Sequence, residues 1–287
     1  MSSQITTAFV EQYSNNVTML SQQKGSMLRD KVDSETVQGK NAFFEQIGSV
    51  AAVKRTSRHG DTPQLDTPHA RRRVSLVDYE YADLIDDQDK IRTLIDPTSS
   101  YALAAAYAMG RAMDDEIISA ATGTAFTGVS GGTSTALPGG QAITESGTDG
   151  LTIAKLRTAK RTFDLNSVDP SIKRYMVVSP RQIDDLLGTT SVTSADFNTV
   201  RALVTGEVNT FMGFEFIVSN RLSIASSKRL CFAYAADGIK LAVGKDVMSR
   251  IDERADKGYS TQIYYCASFG ATRIEEEKVV SIQAHEA

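Results

Sequence analysis

The chain has no tryptophan among its 287 residues, two cysteines and three histidines, and each scarcity removes a class of protein. No apolar run approaches the ~18 residues that a membrane helix requires, and the N-terminus lacks the basic-then-apolar pattern of a secretory signal. Cys231 and Cys266 are too few and too isolated for a disulfide framework. Both sit in apolar, strand-like runs (LCFAYA and IYYCAS) and read as buried thiols of a reducing cytoplasm. His285 sits at the extreme C-terminus; His59 and His69 sit at a loop tip and have no Cys or carboxylate at metal-ligand spacing, because nearby Asp61 and Asp66 belong to Asp-Thr-Pro turn triplets. They read as exposed loop histidines. Positive charge is not in excess either: 31 Lys and Arg face 35 Asp and Glu, a net −4 that argues against a dedicated nucleic-acid binder.

Catalytic patterns are missing as well. No H-E-x-x-H or G-x-G-x-x-G occurs. The carboxylate pairs Asp86-Asp87, Asp114-Asp115 and Asp184-Asp185 are adjacent, so on a helix they diverge by about 100° and cannot share a proton. The Gly, Ser and Thr-rich stretch at 124–150 has no Gly-Lys-Ser/Thr and reads as a flexible connection, not a phosphate loop. The expectation is a non-enzyme without cofactor or metal.

What is present begins with DPTSSYALAAAYAMGRAMDDEIISAATG, residues 96–123. Asp96 can cap, Pro97 suits a first turn, and Gly123 can supply a left-handed stop. Between them Tyr101, Ala105, Ala108 and Ala112 form one stripe; Met109, Met113, Ile117 and Ala120 form its neighbour. Such a helix of about 24 residues spans roughly 36 Å. It reads either as a structural beam or as an ordinary long core helix.

Around it the chain changes character. Residues 4–23 carry Phe9, Tyr13, Val17 and Leu20 at helical spacing on a polar segment, and basic, flexible residues follow, so the start looks like an arm that docks on something. NAFFEQIGSVAAVKR and RRRVSLVDYEY are β-permissive, and Asp-Thr-Pro triplets at 61–63 and 66–68 break the piece between them. This predicts a two-stranded ribbon, which is marginal in water unless another surface covers it.

Residues 151–247 predict an α/β unit. LTIAKLRTAKRTFDLNSV is amphipathic, with Ile153, Leu156, Ala159 and Phe163 inward and a basic outer face. Asp169-Pro170 turns the chain, RYMVVS is a buried strand, and Pro180 opens a short helix to Gly188. A Ser/Thr-rich loop at 189–199, a helical piece at 201–204, and strands at 213–220, 229–235 and 239–243 complete it. The segment from Tyr259 predicts two strands meeting around Gly270 and returning to the long helix.

Charge suggests a use for the ribbon. Lys54, Arg55, Arg58, Arg71, Arg72 and Arg73 lie on it, and Asp83, Asp86 and Asp87 lie in the acidic run after it. A basic loop beside an acidic base suits head-to-tail contact between identical copies, which builds rings or lattices. The other reading is two solvated faces, where exposed pairs contribute about 0–1 kcal/mol each.

Three stretches carry a family resemblance: TTAFVEQYSNNVTMLSQQKGSMLRDKV, YMVVSPRQIDDLLG followed by GEVNTFMGFEFIVSNRL, and CASFGATRIEEEKVVSI. In this order and spacing they resemble the major capsid proteins of tailed bacteriophages, whose lambdoid-type fold is shared with encapsulins and the herpesvirus capsid floor. The resemblance implies an α+β fold with an N-terminal arm (1–40), an extended β-ribbon loop (41–81), a peripheral domain with a spine helix (82–150 and 248–287, helix about 97–122), and an axial α/β domain (151–247). It implies a structural subunit that assembles as pentamers and hexamers into an icosahedral shell enclosing double-stranded DNA, assembled in the host cytoplasm and located in the virion. The implied partners are further copies, a portal protein, a scaffolding protein and a decoration protein, with no membrane. An encapsulin-like compartment and a small-molecule enzyme are the other readings. Some relatives cross-link through a Lys on the extended loop. The tip at 57–70 has none and Lys54 is the ribbon's one candidate, so cross-linking is not expected.

Overall fold

The computed structural model describes residues 21–58, 60–62, 64–86, 98–144, 149–188 and 210–286. Nearly all of the expected 4–23 helix, the Asp96-Pro97 cap, the 189–199 loop and the 201–204 piece lie outside them, as do His59 and Asp87. The chain divides into two compact units. One comprises Met1–Ser26, Asp78–Ala112 and Lys245–Ser268; the other comprises Met27–Val77, Met113–Gly244 and Phe269–Ala287.

The second unit is built on a mixed sheet whose strands are β7 (Ala142–Ile143), β8 (Arg174–Val178), β9 (Thr210–Phe211), β10 (Phe214–Val218), β11 (Ile224–Ala225), β12 (Lys228–Ala235) and β15 (Val279–His285). Its order is β7-β15-β12-β8-β10-β9, with β11 on β12. β10 runs parallel to β8, whereas β12 is antiparallel to both β8 and β15. Every residue of β8 is buried, as a continuous apolar run in a covered sheet requires. Helix α2 (Ile153–Leu165) turns Leu156, Ala159 and Phe163 inward, and Phe163 meets Phe214 with ring centroids 6.0 Å apart. Thr152 caps it by accepting from the Lys155 N–H. Helix α3 (Pro180–Gly188) follows β8.

The last strand is placed differently from the sequence expectation, which assigned 248–287 as a block to the long helix's domain. Val279–Tyr234 through His285–Lys228 pairing puts β15 inside this sheet. The break between the last two strands is also not at Gly270. β14 (Ser260–Arg273) runs through that glycine, and the chain turns at 274–278. Gly270 serves a close approach instead: a Cβ there would stand 2.3 Å from the Ser75 carbonyl oxygen. Likewise the 124–150 stretch is not a plain connection. It contains β5 (Ala125–Thr127) and β6 (Thr133–Thr135), and β5 pairs with the ribbon at Arg72 and Arg73.

The long helix, α1, spans Thr98–Thr122. Of its two predicted stripes the one through Met109, Met113 and Ile117 is buried, together with Ala105, Ile118 and Ala121, while Tyr101 stays 40% exposed. Gly123 does not stop the helix through a left-handed conformation. Its N–H donates to the Ser119 carbonyl at 2.8 Å, and a Cβ would stand 2.5 Å from that same oxygen. Arg273, fully buried, donates to the carbonyls of Ala121 and Gly123 at 3.1 and 2.8 Å, which satisfies the helix's orphan C-terminal acceptors.

The segment entering the fold is held to this helix by backbone contacts. Within the first unit, Gly110 lets the chain pass so closely that a Cβ would lie 2.5 Å from Gly25 C and Ser26 N. Arg111 Nη1 donates to the Gln23 carbonyl at 3.1 Å. Within the second unit, the buried Asp114 carboxylate accepts from the N–H groups of Met27 and Leu28 at 3.0 and 3.1 Å. The adjacent Asp115 instead accepts from Arg221 Nε at 2.6 Å, so the pair does diverge.

The first unit also holds most of β4 (Val77–Ile85) and the distal parts of β13 (Ile239–Arg254) and β14, which lie in one sheet in the order β13-β14-β4. β13 is far longer than the 239–243 strand expected.

Candidate inter-subunit surface

The ribbon consists of β2 (Asn41–Ile47) and β3 (His69–Ser75), antiparallel, with Phe43 opposite Arg73, Phe44 opposite Arg72 and Glu45 opposite Arg71. Because side chains alternate across a strand, this register splits the three consecutive arginines. Arg72 shares a face with Phe44 and Val74, and that face is buried with Val37 and Ala242. Arg71 and Arg73 share the other face.

Their surroundings differ accordingly. Arg72, 6% exposed, donates from Nε to the Ile274 carbonyl at 2.9 Å and from Nη2 to both Glu276 oxygens at 2.7 and 2.5 Å. This is a charge-assisted pair, one nitrogen shared between both carboxylate oxygens, in poor contact with water, where attraction is weakly screened. Arg71 donates from Nε to the exposed Glu45 at 2.7 Å and lies over the Phe43 ring at 5.4 Å. Arg73 lies over Phe126 at 4.8 Å. Gly131, at φ +66°, lets the chain pass the Arg73 side chain; a Cβ there would meet it at 2.6 Å.

Beyond the strands, the described residues of the 48–68 loop are all exposed and form no regular structure. The ribbon therefore stops at Ile47, short of the Arg55 that β-propensity suggested, because Pro68 seals the base. Gly48 N–H donates to the Pro68 carbonyl at 2.8 Å. Lys54, Arg55 and Arg58 all lie in this loop, and Arg55 Nε donates to the Ser57 carbonyl at 2.8 Å. Among them stand uncovered apolar side chains, Val50, Val53 and Leu65 at about half exposure, next to Ile47 at 69% at the end of β2.

The acidic residues lie in the first unit. Asp83 accepts from the Leu84 N–H at 2.9 Å, Glu80 from the Tyr264 hydroxyl at 3.0 Å, and Asp86 from the Ser260 hydroxyl. Ribbon and acidic run thus belong to separate units, and Arg72 is committed within its own.

Among the described residues no three His, Cys, Asp or Glu side chains cluster as metal ligands, and burial pushes the Cys231 thiol up to about 12, unfit as a nucleophile. No helix among them is long and apolar enough to cross a membrane.

The model of a family described as phage capsid protein matches residues 5–286. The chain belongs to that family. Solved structures agree in fold. A cyanophage P-SCSP1u capsid chain superposes with a TM-score of 0.73 at 18% identity, covering 99% of this chain and 95% of that one. A Ralstonia phage GP4 capsid chain gives 0.74 at 10% identity, covering 98% and 96%. A cyanophage Pam1 capsid chain gives 0.71 at 13% identity, covering 98% of each. No curated sequence matches the chain. This capsid protein is therefore a major capsid protein of phage type, a structural component of the virion shell with the α+β capsid fold.

Proposed function

We propose that copies of this capsid protein associate as hexamers and pentamers into an icosahedral shell around double-stranded DNA, each copy's 48–68 loop lying on a neighbour. The observation that supports this is the loop itself: Val50, Val53 and Leu65 stand in water on a segment with no regular structure, beside Ile47 exposed at the end of β2. Exposed apolar groups on an unsupported loop are covered at a net gain of about 25 cal/mol per Å² when a second surface meets them. Lys54, Arg55, Arg58, Arg71 and Arg73 would steer that contact toward the neighbour's Asp83, Asp86 and Asp87; Arg72 leaves the set. Many modest contacts per copy then act together.

In this reading residues 1–40 act as an arm and 41–81 as the extended loop. The long helix is the spine of a peripheral domain, and residues 151–247 with the last strand form the axial domain around the five- and six-fold positions. Assembly in the host cytoplasm, and a portal, a scaffolding and a decoration protein as partners, follow from the same reading. Family membership favours it over an encapsulin-like compartment.

Electron microscopy of the expressed protein tests it. The full chain should form closed shells, and a variant lacking residues 52–66 should stay folded and fail to close them. A full-length chain that remains a solitary particle at high concentration overturns the proposal.

A further inference from the structure

The outer face of α2 takes no part in that assembly reading. Arg157, Lys160 and Arg161 stand exposed on it, within one helical turn and a rise of about 6 Å. Among the described residues none of the three has an ion pair, a hydrogen bond or a ring contact. They line a groove of about 650 Å³ together with Asp164, Leu165 and Met212. Asp164 does not cancel them, because it accepts from Arg174 Nη1 at 2.9 Å.

We infer that this groove takes the phosphate backbone of duplex nucleic acid, so that this face of the capsid protein touches the enclosed genome. The inference rests on the proposal that the shell encloses DNA. The groove offers charge and almost nothing else. The hydroxyls of Thr158 and Thr162 donate to their own helix, to the carbonyls of Ala154 and Thr158, each at 3.0 Å. Among the described residues no aromatic side chain lines the groove to anchor a protein partner. Recognition by cations alone suits a partner of high, regular charge density, and a duplex carries one negative charge per ~1.7 Å of its axis. With no free amide or hydroxyl among the described lining residues to read base edges, the contact is blind to sequence. Three cations in a chain of net charge −4 give a grip that is weak per copy and repeated across the shell.

The test uses unassembled full-length subunits and a fluorescent duplex of mixed sequence, titrated at several salt concentrations. Replacing Arg157→Gln, Lys160→Gln and Arg161→Gln together should reduce the slope of log K against log salt by about 2.7, three phosphates at ~0.9 each. The charge-conserving swap Arg157→Lys, Lys160→Arg, Arg161→Lys should retain it, which separates charge from folding. A slope unchanged in the triple Gln variant overturns the inference. So does displacement of the duplex by polyglutamate at equal charge, which would mark an acidic protein as the occupant. Shells seen alongside an unchanged slope would sink this inference alone. Missing shells would sink the assembly proposal, with the subunit titration still readable.

Discussion

Strand β8 and the 48–68 loop solve opposite problems. In β8 all five residues are buried; all five pair with β10 on one side, and Arg174 through Val177 pair with β12 on the other. In the loop no described residue is buried, and apolar side chains stand uncovered beside Lys54, Arg55 and Arg58. The first region is stable because the protomer completes it; the second is a surface the protomer leaves incomplete. A subunit meant for a lattice needs both, since a fully self-satisfied exterior gives neighbours nothing to cover. The ribbon joins the two regimes across a single strand, and Arg71 and Arg72 mark the change between one residue and the next.

That contrast can be broken most sharply at those two positions. Arg72→Ala should destabilise the folded subunit by about 3 kcal/mol, because Glu276 and the Ile274 carbonyl lose a buried charged partner. Arg71→Ala removes an exposed pair with Glu45 and a ring contact with Phe43 and should cost about 1 kcal/mol or less, while weakening assembly at low salt and lowering its salt sensitivity. Urea denaturation of both variants, with shell yield measured at two salt concentrations, reads the difference. Equal stability losses would show that the two faces of β3 are not distinct.

The sequence contains two signals here, charge and alternation, and they disagree about Arg72. Charge counting joined Arg71, Arg72 and Arg73 into one basic patch. Period-two alternation through Arg72, Val74 and Leu76 places the middle arginine with the apolar residues. Elements fixed by local pattern were legible: the long helix, the buried RYMVV strand, the Pro180 helix. Gly123 and Gly270 were not, because what each glycine accommodates is a particular carbonyl, from Ser119 and from Ser75. Nor was β15, whose place beside β12 is decided by strand pairing about 50 residues apart, which no local period records. The unpaired cations of α2 were visible as a basic face. Only the Asp164–Arg174 pair shows that the one acid there is already occupied.

Gly110 sharpens the comparison from the helix. Local propensity says that Gly110→Ala should stabilise an exposed helix interior by about 1 kcal/mol. The structure says the reverse, since a Cβ would lie 2.5 Å from the backbone of Gly25 and Ser26, which cannot rotate away as a side-chain tip could. The expected net loss is about 1–3 kcal/mol, with the entering segment lifted from the helix. Limited proteolysis at residues 22–28 together with thermal melts would show it. A stabilised, equally protease-resistant variant would mean that this contact is not held in solution.

The smallest effect concerns a lock on the sheet, far in chemistry from the exposed loop. Glu286 accepts from Arg229 Nη2 at 2.5 Å, from the Ser179 hydroxyl at 2.7 Å and from Gln182 Nε2 at 3.2 Å. The Arg229 hydrogen bond, ahead of the other two, holds its carboxyl down to about 2, against 4.5 for the free group. A carboxyl whose folded value lies below its unfolded value binds more protons when unfolded, so its contribution is full above pH 4.5. It fades as the pH falls from there toward about 2, and it should not change between neutral and mildly alkaline pH. Glu286→Gln should therefore cost about 1–2 kcal/mol at neutral pH and progressively less in acid, so that the urea midpoints of variant and parent converge as the window is crossed. Parallel midpoints would mean that the carboxylate charge adds nothing to the hydrogen bonds. Because the lock ties β12 to the residues just past β8 and to the chain after β15, and touches no part of the 48–68 loop, Glu286→Gln should lower subunit stability at neutral pH, with the difference fading in acid, while leaving the salt dependence of assembly at neutral pH unchanged. Arg71→Ala should show the opposite signature.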